Sequence, residues 1–178
     1  MNTKAPNRSR SPSPALCLSQ ESKRGDTIAT RKRKKTWREK LADNKGLAKV
    51  VRIEGKLSKR WGTGTMVIPA PREVDAMIRT IRKGRIATLN DLRAKLAKKH
   101  GVDFCCPLTA GLFAWISAQA AAEDEAEGKQ RITPWWRVLK FDGKLNPKFP
   151  GGVQEQRKRL EAEGVRWRAG LIARLERV

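Results

Sequence analysis

Residues Thr88–Ala118 read TLNDLRAKLAKKHGVDFCCPLTAGLFAWISA, and side-chain chemistry places two helices with a short turn between them on this stretch. Thr88 is an N-cap residue, Asp91 falls in the first turn where a carboxylate suits the helix dipole, and Leu89, Leu92, Leu96 and Ala97 recur at helical spacing. Gly101 follows the last apolar position and stops the helix. This first helix is expected to expose Arg93, Lys95, Lys98 and Lys99. Pro107 then opens a second helix through Leu108, Leu112, Trp115 and Ile116, running to about Glu127. Two helices joined this way make a candidate helix-turn-helix. The uncharged run Cys105–Ala122 reaches the lower length limit of a membrane span, but it contains Thr109, Gly111, Ser117 and Gln119 and continues into Glu123-Asp124-Glu125. A buried core helix explains it better.

Downstream, Ile132–Lys140 is rich in strand formers, Asp142-Gly143 is a hairpin turn signal, and Lys144-Leu145-Asn146 can pair back as a wing. Gly151-Gly152 precedes a helix over Val153–Glu163, closed by Gly164, and Val165–Val178 patterns as a last amphipathic helix with Leu171, Ile172 and Leu175 inward. Upstream, Pro71, Val74, Met77, Ile78 and Ile81 mark an amphipathic helix ending at Gly84. Between Thr36 and that helix the pattern predicts one short helix and then extended structure. Gly62-Thr63-Gly64 lacks the trailing Gly-Lys of a phosphate loop and is expected to be a turn. The expected fold class is mainly α with a small β-hairpin wing. The segments are a disordered basic tail at 1–35, an extension at 36–70, a helix-turn-helix domain at 71–165 and a C-terminal helix at 166–178.

The charge balance says more about partners than about fold. The 178 residues hold 40 Lys and Arg against 18 Asp and Glu, a formal net charge of +22. Such a surplus is relieved by a polyanion through neutralisation and counterion release, so DNA in duplex form heads the partners, with RNA as the other polyanion and no membrane role. The first 35 residues carry ten Lys or Arg, two acids and no apolar period, which suits a solvated arm that adds phosphate contacts. No secretory signal is legible in the first 20 residues, whose apolar stretch is only Ala15-Leu16-Cys17-Leu18. The expected location is cytoplasmic and nucleoid-associated, or nuclear in a eukaryote, and the chain is expected to be a monomer.

The run Thr133-Pro134-Trp135-Trp136-Arg137-Val138-Leu139, then Gly143, Gly151-Gly152 and Leu160-Glu161-Ala162-Glu163-Gly164, resembles the C-terminal domain of methylguanine-DNA methyltransferases. Gly84-Arg85-Ile86-Ala87-Thr88 resembles the segment opening that family's helix-turn-helix, and Thr109-Ala110-Gly111 its recognition helix. The likeness spans residues 72 to 165 and implies a winged helix-turn-helix. It also implies a lesion pocket at Pro134, Trp135, Trp136, Gly151 and Gly152. The implied DNA-binding set is Arg85, Thr88, Leu89, Arg93, Leu108, Thr109, Arg137, Lys140, Lys144 and Lys148.

The departures from the family decide the expected activity. Trp135 stands where the family has its acceptor cysteine and Trp136 where it has the activating histidine. An indole offers only an N–H donor, so no thiolate–imidazole pair survives. The chain is therefore expected to be no enzyme and to resemble the alkyltransferase-like proteins, which bind alkylated guanine without repairing it. Leu89 replaces the tyrosine that presses on the target phosphate, and Leu108 replaces the arginine finger; leucine can wedge between bases but cannot hydrogen-bond an orphaned one. The alternative is a general nucleic-acid-binding protein, compaction or RNA-associated, whose lesion pocket is vestigial.

Other chemistry is weakly signalled. Cys105 or Cys106 with His100 as base would need an exposed thiol, and adjacent cysteines lack the spacing of a zinc site, so neither nucleophile, metal nor cofactor is expected. Glu161 and Glu163 fall on different helix faces and suggest no hydrolytic dyad. Trp135 and Trp136, placed on a strand, should point to opposite faces, with Trp135 lining the pocket and stacking on an extruded base.

Overall fold

The computed structural model describes residues 33–55 and 58–165, together with the backbone of two short strands beyond them. In chain order these are α1 (Trp37–Ala42), β1 (Lys49–Ile53), α2 (Ser58–Trp61), β2 (Gly64–Ile68), α3 (Pro71–Arg79), β3 (Ala87–Thr88), α4 (Leu89–His100), β4 (Phe104–Cys105) and α5 (Pro107–Ala126). A 3-10 turn (Trp135–Arg137), β5 (Val138–Leu139), α6 (Gly152–Ala162), β6 (Trp167–Arg168) and β7 (Leu171–Ile172) follow. The architecture is mixed, helix-rich with a small three-stranded sheet.

The two central helices form for the reasons their sequence suggests. Asp91 N–H donates to Thr88 Oγ1 at 3.2 Å and Thr88 N–H donates to Asp91 Oδ2 at 2.8 Å, a reciprocal cap that satisfies two otherwise orphaned donors. Gly101 closes α4 in the left-handed region at φ 62°, with its N–H on the Ala97 and Lys98 carbonyls. Pro107 stands in the first turn of α5, where a missing N–H costs nothing. Ala110, Ala114, Ser117, Ala118 and Ala121 are all buried on α5. Their small size lets α3, α4 and α1 approach one 20-residue helix about 30 Å long. The main core joins the four alanines to Val67, Val74, Ile78, Leu92, Leu96, Phe113 and Trp135.

The 36–70 segment is part of the packed structure. α1 begins at a Thr36–Glu39 capping box, and Glu123 of α5 accepts the Trp37 and Arg38 N–H groups at 3.0 and 3.1 Å. Trp37 meets Trp115 edge to face at 4.6 Å. β1 and β2 pair antiparallel, and β2 pairs parallel to β4 with Met66 opposite Phe104 and Val67 opposite Cys105. The turn at Gly62-Thr63-Gly64 lies between α2 and β2, both glycines having positive φ.

Two expectations need correction. Ile132–Lys140 is no hairpin arm: Trp135–Arg137 is a 3-10 turn, and β5 pairs parallel with β3, Ala87 opposite Val138 and Thr88 opposite Leu139. Of the expected wing only the turn remains, with Lys140 N–H on Lys144 O at 2.9 Å and Gly143 N–H on Lys140 O at 3.1 Å. The reason is Gln156 of α6, fully buried. Its Nε2 donates to Val138 O at 2.7 Å and Trp136 O at 3.1 Å, while its Oε1 accepts Asn146 N–H at 2.8 Å. One amide thus satisfies groups that a second strand would have paired, which removes the need for a ladder. Leu145 meanwhile turns into a second core with Ile86, Leu139, Leu160 and Val165.

The second correction concerns the C-terminus. Trp167 pairs with Ile172 and Arg168 with Leu171, antiparallel, which is a hairpin register and excludes the expected helix at those residues. Leu175 lies outside the described residues, as does the tail through residue 32.

Candidate nucleic-acid interface

The first turns of α5 carry an uncovered apolar stripe. Leu108 is 65% exposed and Leu112 48% exposed. One turn apart, they lie on one face. Thr109 between them is half-buried and its hydroxyl donates to Cys106 O at 3.4 Å. Leu89, half-buried at the start of α4, lies toward Gly111, where an added Cβ would meet its Cδ1 at 4.0 Å. Thr88 is occupied by the cap, its hydroxyl also donating to Asp91 at 2.8 Å.

Arg93 departs from the expectation that it is exposed. It is half-buried, with Nε on Cys105 O at 3.0 Å and an Nη on Asn90 Oδ1 at 2.9 Å, so it fastens α4 to the β4–α5 turn. Lys95 is also half-buried, while Lys98 and Lys99 are exposed, Lys99 pairing with Glu73 at 2.7 Å. Arg85 is half-buried at the approach to β3.

The loop after β5 is the other basic feature. Lys140 and Lys144 share Asp142 at 3.4 and 3.6 Å, and Lys148 is exposed beyond them. Burial works against ionisation of Asp142, yet the Lys144 N–H and the two ammonium groups hold its carboxyl below the ordinary value. Phe141, 66% exposed, stands beside Lys140 with the ammonium 5.7 Å from its ring. The sequence signal for Phe141 is a lone aromatic beside a Lys in a polar turn.

The Trp135–Arg137 turn places its residues differently from a strand. Trp135 is only 1% exposed, edge to face with Trp136 at 5.8 Å and Phe149 at 5.6 Å, so its ring forms no open wall. Its indole N–H is buried without a hydrogen-bond partner. Pro134 is buried at the start of the turn. Gly151, at φ 68°, leads into α6, and a Cβ there would stand 2.4 Å from Glu155 Cβ. Gly152 also has positive φ and donates to Phe149 O at 2.9 Å, which brings the glycine pair beside the Trp135 core.

The Arg137 guanidinium, expected to meet a phosphate, is engaged within the fold. Nε and an Nη reach Glu163 at 2.7–3.1 Å, the other Nη reaches Ile81 O at 2.5 Å, and the two side chains are 14% and 8% exposed. Glu163 also accepts Trp136 Nε1–H at 2.8 Å and Gly84 N–H at 3.1 Å. The carboxylate that the resemblance left without a histidine therefore orients an indole. Burial opposes its charge, but the guanidinium and the two N–H donors outweigh that and hold it below its ordinary pKa. Arg159, unremarked in the sequence, bridges Glu155 and Glu125 at 2.7 and 2.8 Å and lies over both indoles at 5.0–5.4 Å.

Neither described thiol is exposed. Cys105 and Cys106 are buried, burial pushes Cys105 up to about 11 against the pull of Arg93, and His100 faces Glu73 at 3.2 Å. Among the described residues no cluster of His, Cys, Asp and Glu could hold a metal, and no helix is long and apolar enough to cross a membrane. No protein-family model matches the chain, and no curated protein matches it.

Proposed function

We propose that the chain is a non-enzymatic DNA-binding protein, docking α4 and α5 on duplex DNA as a helix-turn-helix. The observation that carries this reading is the bare Leu108–Leu112 stripe at the start of α5 in a chain of charge +22. An apolar stripe there can wedge against bases while lysines meet phosphates. Lys140, Lys144 and Lys148 supply the loop's phosphate contacts and Phe141 a stacking surface. Arg137 serves the fold in this reading, and Thr88 positions α4.

Burial of Trp135 favours a binder whose lesion site is filled, hence one tolerant of undamaged DNA. A second reading, alkyltransferase-like recognition of alkylated guanine, is favoured by the unpartnered Trp135 N–H, because buried donors without acceptors are rare and a base edge would supply one once the Trp135–Arg137 turn opens to admit it. Titrating the chain at fixed salt against paired duplexes with and without one alkylguanine tests both. Equal affinity supports the filled site, preference for the damaged duplex supports the second reading, and no binding to either overturns the DNA-binding role.

A further inference from the structure

The stripe on α5 does not end at Leu112. It runs into a cavity of about 470 Å³, floored by Leu47, Leu112 and Phe113 and rimmed by Lys34, Lys40 and Lys45. Lys35 also reaches it, but that ammonium is paired with Asp43 at 2.6 Å, and Asp43 is the only acid among the described residues of the lining. Lys40 stands over the Trp37 ring at 3.6 Å. The α1 wall is held firmly, because Glu123 caps the Trp37 and Arg38 N–H groups and Arg38 pairs with Asp124 and Glu127.

We propose that this groove binds single-stranded DNA extending from the duplex that α5 engages, with one base on the apolar floor and the adjoining phosphates on the lysine rim. The inference rests on the DNA-binding reading above and extends it to an unpaired strand. Three features select this occupant. The volume suits a small planar group rather than a duplex, within the usual range for ligand sites. Among the described lining residues, four lysines against one carboxylate demand an anion. Leu112 belongs both to the groove floor and to the exposed face of α5, so a strand leaving the duplex at Leu108 is already directed toward the groove. Phosphates tracked by cations beside a base on an apolar surface are the shared physics of single-strand sites.

The test is fluorescence anisotropy at fixed salt with the full chain, using a short blunt duplex and the same duplex with a single-stranded extension. The extension should tighten binding at least about fivefold, the gain of one seated base. Leu112→Glu should abolish that gain. Lys40→Gln with Lys45→Gln should abolish it too while blunt-duplex binding persists, and thermal melting verifies that both variants fold. Equal affinity for the two probes, or a gain that survives both variants, overturns the proposal even where blunt-duplex binding is intact. Binding of the extended probe alone supports the groove and overturns the duplex reading; binding of neither overturns both. Variant-sensitive binding to phosphatidylglycerol vesicles, with no strand preference, would reassign the groove to an anionic lipid.

Discussion

Glu163 accepts the Arg137 guanidinium at 2.7–3.1 Å while both side chains are nearly withdrawn from water. Its remaining bonds reach Gly84, on the approach to β3, and Trp136, in the 3-10 turn. One carboxylate therefore fastens the end of α6 to both segments that orient α4 and α5.

Removing one partner of this buried pair should be costly, since the other is left charged and unmatched. Glu163→Gln is expected to lose about 3–5 kcal/mol in urea denaturation at neutral pH. The pH dependence follows from the lowered pKa. A carboxylate whose folded pKa lies below its unfolded value stabilises fully above the unfolded value, near the ordinary 4.5, and loses that contribution as pH falls through the folded one. The gap between wild type and Glu163→Gln should narrow as pH drops below about 4.5. A gap independent of pH would mean that the ion pair is not the source of the loss.

Gln156→Leu keeps the volume but removes the amide that serves Val138 O, Trp136 O and Asn146 N–H. Unsatisfied buried groups cost about 1–3 kcal/mol each, so a loss of at least about 3 kcal/mol is expected. Amide exchange at Asn146 should accelerate with it. A near-neutral Leu variant would show that water reaches these groups.

That same glutamine explains why the turn signal at Asp142-Gly143 does not extend into a paired wing. The capped and periodic helices α3 to α6 were legible because Thr88, Gly101, Pro107 and the leucines act within one or two turns of themselves. The hairpin was not, because its fate depends on a side chain 18 residues beyond Val138. Arg137 shows the same limit at the site: an arginine in a basic stretch looks like a phosphate ligand until Glu163, 26 residues on, is found against it. Leu108 and the loop lysines were legible as surface residues. Phe141 and the lysine-rimmed groove were not, the groove because its walls come from three separate stretches of chain.

Burial of Cys105, with its pKa near 11, should leave it protonated and inert at neutral pH. Intact mass after incubation with methylated duplex should show no added methyl group. Iodoacetamide at pH 8 should label Cys105 and Cys106 only once urea is added. A methyl group on either thiol would restore an enzymatic reading.

The β5–α6 loop offers the sharpest test of duplex binding. Lys140 and Lys144 share the single carboxylate of Asp142 at 3.4–3.6 Å in an exposed setting, where such pairs are weak and a phosphate can displace the acid. Neutralising that acid should strengthen binding. Asp142→Asn keeps a side-chain oxygen for the Lys144 N–H, which now donates to Oδ1 at 3.2 Å, so the turn should survive. Its affinity for duplex DNA should rise severalfold at low salt. Lys140→Gln, Lys144→Gln and Lys148→Gln together should act oppositely, each lysine that meets a phosphate removing about 0.9 from the slope of log K against log salt. Phe141→Ala should leave that slope unchanged while lowering affinity, because stacking releases no counterions. The measurement is a salt titration of each variant by anisotropy, with circular dichroism confirming the fold. If the triple variant keeps the full slope and Asp142→Asn changes nothing, the loop does not touch the backbone and the duplex lies elsewhere on the chain.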